Sequence, residues 1–227
     1  MTSSPQQNLP RSIPQLLFNA SKQHAGRTAI EEHGECIDYS DLPRLALAVT
    51  RSLMGQGIGK GDRVAIWAPN GRDWIIAALG IHCAGAVMVP INTRMKGGEA
   101  ADILQRSASR LLFVQPMFLG TDYLALLAPY RPASLECLVL LGEAPSASAK
   151  GLDWDGFLSL GAATSEAAAL LRAASVSGED LSDLLFTSGT TGKPKGVMSA
   201  HGQTIRAFGE YAKVIGLQAG DRYLVIN

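Results

Sequence analysis

Apolar positions along this chain follow two rhythms, one close to the helical repeat and one of short runs broken by turn residues. From Ile13 to about His24, Leu16, Leu17 and Ala20 share one side of a helical repeat. The runs Thr28–Glu31 and Glu35–Tyr39, separated by His33-Gly34, predict two strands and a turn. Ser40 and Asp41 then offer a helix start, and Leu42, Leu45, Val49 and Leu53 recur at helical spacing to about Met54. Beyond that point the alternation is regular. Strand Arg63–Trp67 is followed by helix Asp73–Cys83, strand Ala86–Val89, helix Gly98–Ser107, strand Leu111–Gln115, helix Asp122–Ala128 and strand Cys137–Leu141. Such alternation predicts an α/β fold, with a mainly parallel sheet flanked by helices on both faces.

The later part of the chain is less regular. Gly142–Gly151 is small and low in complexity, which predicts an exposed, mobile loop, and the alanine-rich stretch Ala162–Ala174 predicts a helix. Two apolar runs around Leu184-Leu185-Phe186 and Val197-Met198 flank a turn-forming block and predict a hairpin. A helix is expected over Gln203–Ile215, with Ile205, Phe208, Ala212 and Ile215 along one side, and a final strand over Tyr223–Ile226.

Three stretches invite other readings. Gly55-Gln-Gly57-Ile-Gly59-Lys-Gly61 has the look of a dinucleotide fingerprint, yet it follows a helix and precedes a strand, the reverse of that motif, so it reads as a helix exit. Ile75–Ile91 is nearly all apolar but is interrupted by Gly80, His82, Gly85 and Pro90 and is shorter than the roughly 20 residues a membrane span needs. It reads as a buried helix, a glycine turn and a buried strand, with His82 a packed core or interface residue. Trp67, Trp74 and Met95 read as core or interface residues.

Composition narrows the class. Among 227 residues, 47% are hydrophobic and 18% charged, enough for a sizeable core, which excludes a disordered chain. Twenty basic side chains balance 20 acidic ones, so neither a nucleic-acid footprint nor a charged membrane surface is present, and any anion site must be local. Cys36, Cys83 and Cys137 lie far apart with no metal-ligand spacing and read as plain thiols. The N-terminus lacks the basic patch and apolar core of an export signal, so a cytoplasmic protein is expected.

The chemistry concentrates between Asp183 and Gln203. There Thr187, Ser188, Gly189, Thr190, Thr191, Gly192, Lys193, Pro194, Lys195 and Gly196 crowd hydroxyls, glycines and lysines into one block. Glycines let backbone N–H groups turn inward, hydroxyls add donors and lysines add positive charge, an inventory suited to a polyphosphate. It is not a Walker loop, because Thr187 and Pro194 stand where that pattern needs a glycine and a Ser or Thr. A solvated surface hairpin would use the same residue types.

The order of residues from Thr187 to Gly196 resembles the phosphate-binding signature of the adenylate-forming superfamily, which includes acyl-CoA synthetases, peptide-synthetase adenylation domains and luciferases. Gly59–Ile66, Gly85–Asn92 and Asp221–Ile226 also resemble that family's segments, in its order. The resemblance implies ATP, Mg2+ and coenzyme A as cofactors and a carboxylic acid, fatty or alicyclic, as substrate. The acid would be joined to ATP as an acyl adenylate with release of pyrophosphate, then passed to the thiol. By the same resemblance, Thr187, Ser188, Gly189, Thr190, Thr191, Gly192 and Lys195 would hold the phosphates, Lys195 would be catalytic, Thr187 would help hold the metal and Lys193 would be solvated. The family commonly has asparagine two residues after the histidine matching His201. Gln203 stands there, and His201 is left as either structural or functional.

The family's adenine loop, its acidic metal ligand and its C-terminal catalytic lysine have no counterpart in these residues, so an N-terminal part of a larger synthetase, itself inactive, is expected. It would comprise a tail at 1–12, an α/β subdomain at 13–180, and at 181–227 the phosphate hairpin with the start of a second subdomain, the C-terminal domain being absent. Two other functions stay open: an amino-acid adenylation domain, and a non-catalytic nucleotide-binding or interaction remnant.

Overall fold

The computed structural model describes residues 10–143, 151–187 and 194–225. In chain order the elements are α1 (Ile13–Gln23), β1 (Thr28–Glu32), β2 (Glu35–Asp38), α2 (Leu42–Gly55), β3 (Arg63–Trp67), α3 (Arg72–Cys83), β4 (Val87–Pro90), α4 (Gly97–Ser107) and β5 (Leu111–Val114). There follow β6 (Met117–Phe118), β7 (Thr121–Asp122), α5 (Tyr123–Leu127), β8 (Cys137–Leu140), α6 (Trp154–Ser159), α7 (Glu166–Ala174), β9 (Leu181–Thr187), β10 (Lys195–Ala200) and α8 (His201–Val214).

Six strands form one sheet in the order β10-β9-β4-β3-β5-β8, parallel throughout except for β10, which runs antiparallel to β9. β3 is central. The step from β3 to β4 moves one way and the step from β4 to β5 returns past β3 to the other side, so right-handed crossovers place α3 and α4 on opposite faces. Side chains on the strands alternate accordingly. Val64, Ile66, Leu111, Phe113 and Val139 pack with Val49 and Leu53 of α2, Ile76 and Ile81 of α3 and Phe157 of α6. Ala65, Trp67, Leu112, Val114 and Leu138 pack on the opposite face with Ile103 and Leu104 of α4 and Tyr123 of α5.

Local chemistry accounts for the element ends. The Ser12 hydroxyl accepts from the Gln15 N–H (3.4 Å) and caps α1, whose second residue is Pro14. His33 (φ 50°) and Gly34 (φ 83°) both take left-handed backbone in the two-residue turn between β1 and β2. Helices α2 and α3 touch backbone to side chain at Gly80, where a Cβ would stand 2.4 Å from Val49, and Thr50 of α2 donates to the Gly80 carbonyl at 3.0 Å.

The structure corrects several expectations. Leu16 does not join the buried face of α1, where Pro14 and Leu17 are the buried residues, because α1 packs on helices α2, α3 and α7 through Leu17 while Leu16 lines the neighbouring cavity. Ala162–Ala174 is not one helix. A short 3-10 turn over Leu160–Ala163 ends at extended Thr164, and the Ser165 hydroxyl accepts from the Ala168 N–H (3.1 Å), so a side-chain cap overrides the helical tendency of the alanines. Residues 221–225 form no strand, and α8 leaves Phe208 and Ile215 exposed. Helix α6 and the small hairpin β6–β7 were not anticipated. Of the loop expected over Gly142–Gly151, residues 144–150 lie outside the described residues.

Candidate phosphate site and its buried support

β9 and β10 pair with Thr187 opposite Lys195, Leu185 opposite Val197 and Asp183 opposite Ser199. Opposed residues of an antiparallel pair share a face. Thr187, Leu185 and Asp183 therefore lie in one row, while Leu184 and Phe186 point the other way and pack on the core beside α4. The Arg106 guanidinium lies 4.9 Å from the centre of the Phe186 ring on that side. Thr187 and Lys195, both exposed, stand side by side at the end of the hairpin where residues 188–194 connect its strands, at the carboxyl end of a strand parallel to β4. In open α/β sheets this is the end at which ligands are bound. Ser188, Gly189, Thr190, Thr191, Gly192 and Lys193, and with them the rest of the anticipated phosphate loop, lie outside the described residues.

The Asp183 row faces a cavity of about 1650 Å³ between the hairpin, α1, α3 and α8, lined by Trp74, His82, Met88, Asp183, Leu185 and Phe208 among others. A connected polar group sits at its base. The Asp183 carboxylate, 7% exposed, meets His82 Nε2 of α3 at 3.3 Å, accepts from the Ser182 hydroxyl at 2.5 Å and lies 3.4 Å from the Thr204 hydroxyl of α8. Ser182 reaches it because the strand register shifts between Ser199 and Ala200, leaving Ser182 as an extra residue of β9. Burial by itself would raise the Asp183 carboxyl, but the hydrogen bond and charge of His82, with the Ser182 hydroxyl, hold it below the ordinary carboxylate value.

His201 completes the group. It is wholly buried at the first turn of α8, its ring edge-on to His82 at 5.4 Å, and its Nδ1 accepts from the Ile13 N–H at 3.4 Å. Burial, with the neighbouring His82, pushes its pKa down to about 4, so the ring is neutral at pH 7 with its proton on Nε2. That Nε2 is buried and has no hydrogen-bond partner among the described residues.

The sequence reading placed Thr187 and Lys195 in the site, and the structure brings these two together. It missed the support beneath them. Asp183 was read only as the start of the block and His82 as plain core, yet an acidic residue inside an apolar strand and a histidine on an apolar helix are each signals of a buried partner. Which partner depended on β9 lying beside β4, a long-range pairing that periodicity does not show.

Residues 17–227 match the family described as AMP-binding enzyme. The chain belongs to this family. Members with close similarity include two proteins named 3-[(3aS,4S,7aS)-7a-methyl-1,5-dioxo-octahydro-1H-inden-4-yl]propanoyl:CoA ligase. The one from Rhodococcus jostii (strain RHA1) is 41% identical over 224 residues, covering 96% of this chain and 43% of the relative. The one from Mycobacterium tuberculosis is 39% identical over 217 residues, covering 96% of this chain and 42% of the relative. Among solved AMP-binding structures, the anthranilate CoA ligase AuaEII in complex with anthranoyl-AMP superposes with a TM-score of 0.72 at 28% identity, covering 84% of this chain and 35% of that one. The chain thus spans less than half the length of these relatives.

Proposed function

We propose that this chain supplies the phosphate-binding hairpin of an ATP-dependent carboxylic acid–CoA ligase. The whole enzyme would form an acyl adenylate and pyrophosphate, then an acyl-CoA thioester. The observation that carries the reading is the pairing of Thr187 with Lys195 at the carboxyl end of β9, on either side of the hydroxyl- and glycine-rich block. Attack of a carboxylate oxygen on the α-phosphorus expels pyrophosphate, so negative charge grows on the β- and γ-phosphates. Lys195 supplies a fixed positive charge there, and Ser188, Gly189, Thr190, Thr191 and Gly192 supply hydroxyl and backbone donors.

Mg2+ fits this arrangement in a limited way. The ion takes one or two protein oxygens together with phosphate oxygens and water, and the exposed Thr187 hydroxyl beside the loop provides one such oxygen. No group of three His, Cys, Asp or Glu that could hold a metal occurs among the described residues. Bound there, the ion would supply positive charge that offsets the charge of the phosphates, with Thr187 as the residue that would hold it. We further propose that residues 13–180 serve as the scaffold and residues 181–227 as the phosphate-contacting unit, in a cytoplasmic enzyme, in keeping with three free cysteines. The similarity to the two indanyl-propanoyl CoA ligases favours an alicyclic acid over a fatty acid.

Acid-dependent exchange of labelled pyrophosphate into ATP, measured on the full-length protein, tests the reading. Exchange is expected with fused-ring alicyclic propanoates ahead of fatty and aromatic acids. Exchange driven by amino acids instead would establish the peptide-synthetase alternative, and silence with every acid would remove the ligase reading.

A further inference from the structure

The hairpin that carries Thr187 and Lys195 lies along β4 of the parallel sheet but is aligned with it at a single register position. β3–β4, β3–β5 and β5–β8 each align four register pairs, whereas β4 and β9 align one, Met88 with Asp183. The side chain at that one position is the buried carboxylate. It gathers His82 from the helix that leads into β4, Ser182 from its own strand and Thr204 from α8, the helix that follows the hairpin. The three elements that must keep a fixed relation for the Thr187–Lys195 end to be fixed therefore meet at one charge.

Stability does not account for this choice of residues. An apolar side chain at position 183 would continue the packing of Met88 and Leu185, while a buried ionised group needs every partner it can find. The cluster also contains one polar group that has no partner among the described residues, His201 Nε2, and a buried donor left unpaired is destabilising. What a polar cluster provides that apolar packing does not is direction. The carboxylate accepts along defined lone pairs, the His82 ring has its proton fixed on Nε2 by that bond, and the Thr204 hydroxyl pins α8 to the same oxygen as Ser182.

We propose that Asp183 is a positioning residue for the phosphate site, which with His82 and Thr204 fixes the register and tilt of the β9–β10 hairpin and so the placement of Thr187 and Lys195. The effect is carried along one strand. Thr187 lies four residues further on the same face, about 13 Å at strand spacing, so a small tilt at Asp183 moves the Thr187–Lys195 pair by a larger amount. Interactions with phosphate depend on placement within fractions of an ångström, and an error of about 1 Å lowers rates sharply. Its kinetic consequence rests on the ligase reading; its structural consequence does not.

Two readouts on the full-length protein separate these. Asp183→Asn keeps an acceptor oxygen and removes the charge; His82→Phe removes the donor; His82→Gln keeps a nitrogen donor near the position of Nε2; Thr204→Val removes only the α8 hydroxyl. In pyrophosphate exchange, Asp183→Asn and His82→Phe are expected to raise KM for ATP about tenfold with KM for the acid unchanged, and His82→Gln to stay within about twofold of the parent. In amide hydrogen exchange read by mass spectrometry, the same two variants should speed exchange in 184–187 and 195–197 about tenfold, with 63–67 and 111–114 unchanged. Thr204→Val should show the same pattern at about threefold and carries the test if Asp183→Asn does not fold. Equal shifts in both KM values, or hairpin exchange unchanged in a folded Asp183→Asn, would overturn the proposal. If the parent shows no pyrophosphate exchange with any acid, the ligase reading falls and the amide exchange alone decides the positioning role.

Discussion

The parallel strands β3, β4, β5 and β8 and the hairpin β9–β10 belong to one sheet but are held there by different forces. Val64, Ala65, Ile66 and Trp67 of β3 are each 0% exposed, covered on both faces by helices. In the hairpin, Leu185 is 42% exposed and Val197 46%, and the buried contribution on the cavity side is a carboxylate with its hydrogen-bond partners. Apolar burial fixes the first region without regard to direction. Where apolar cover thins toward the end of the hairpin proposed to contact phosphate, directed polar contacts take over. The lesson is a division of labour: the scaffold needs depth of burial, and the working edge needs orientation.

Several changes would break or sharpen this contrast. The largest effect is expected in the scaffold. Leu112→Ala removes a wholly buried side chain from β5 and should destabilise by about 2–5 kcal/mol in denaturant unfolding, whereas Leu185→Ala, half exposed on the hairpin, should cost under about 1 kcal/mol. Equal costs would abolish the distinction.

Acid comes next, because His201 of the polar support loses its contribution at a higher pH than the ion-paired carboxylates Asp62, Glu136 and Asp180, whose own contributions are lost only further into acid. His201 has a depressed pKa in the folded protein, so between about 4 and the ordinary histidine value the unfolded chain binds more protons. Its contribution is complete above about pH 6.5, falls as pH is lowered through that window and levels off below about 4, by at most about 3 kcal/mol. Asp183, whose carboxyl is held low, adds a further loss as pH falls through its ordinary value of 3.8 and below. His201→Asn keeps an acceptor for the Ile13 N–H and should flatten the profile between pH 4 and 6.5. A profile identical to that of the parent would contradict the neutral, buried His201.

A smaller effect is expected where α2 meets α3. Gly80→Ala places a methyl 2.4 Å from Val49 and should cost about 1–3 kcal/mol, read as a lowered unfolding midpoint with the same dependence on denaturant.

The same contrast explains what could be read before the structure. The scaffold was legible because strand and helix periods and glycine turns are local signals: β3, α3, β4, α4 and β5 fall within one or two residues of their expected ends. Thr187 and Lys195 were legible because their block is contiguous. The support was not, since His82 and Asp183 are 101 residues apart and meet only through the placement of β9 beside β4. Alanine content hid the break at Thr164, where a single serine cap decided the outcome. The apolar stripe of α8 was visible as a pattern, but Phe208 remains 68% exposed, so periodicity alone did not tell where cover would be found.

The most direct measurement is pyrophosphate exchange by Lys195→Ala in the full-length protein, read beside its thermal unfolding. Lys195 is exposed at the start of β10, opposite Thr187, so its removal should leave the unfolding midpoint within a degree or two while lowering exchange about a hundredfold. Exchange equal to that of the parent, or a loss that merely tracks unfolding, would contradict the assignment of this hairpin as the phosphate site.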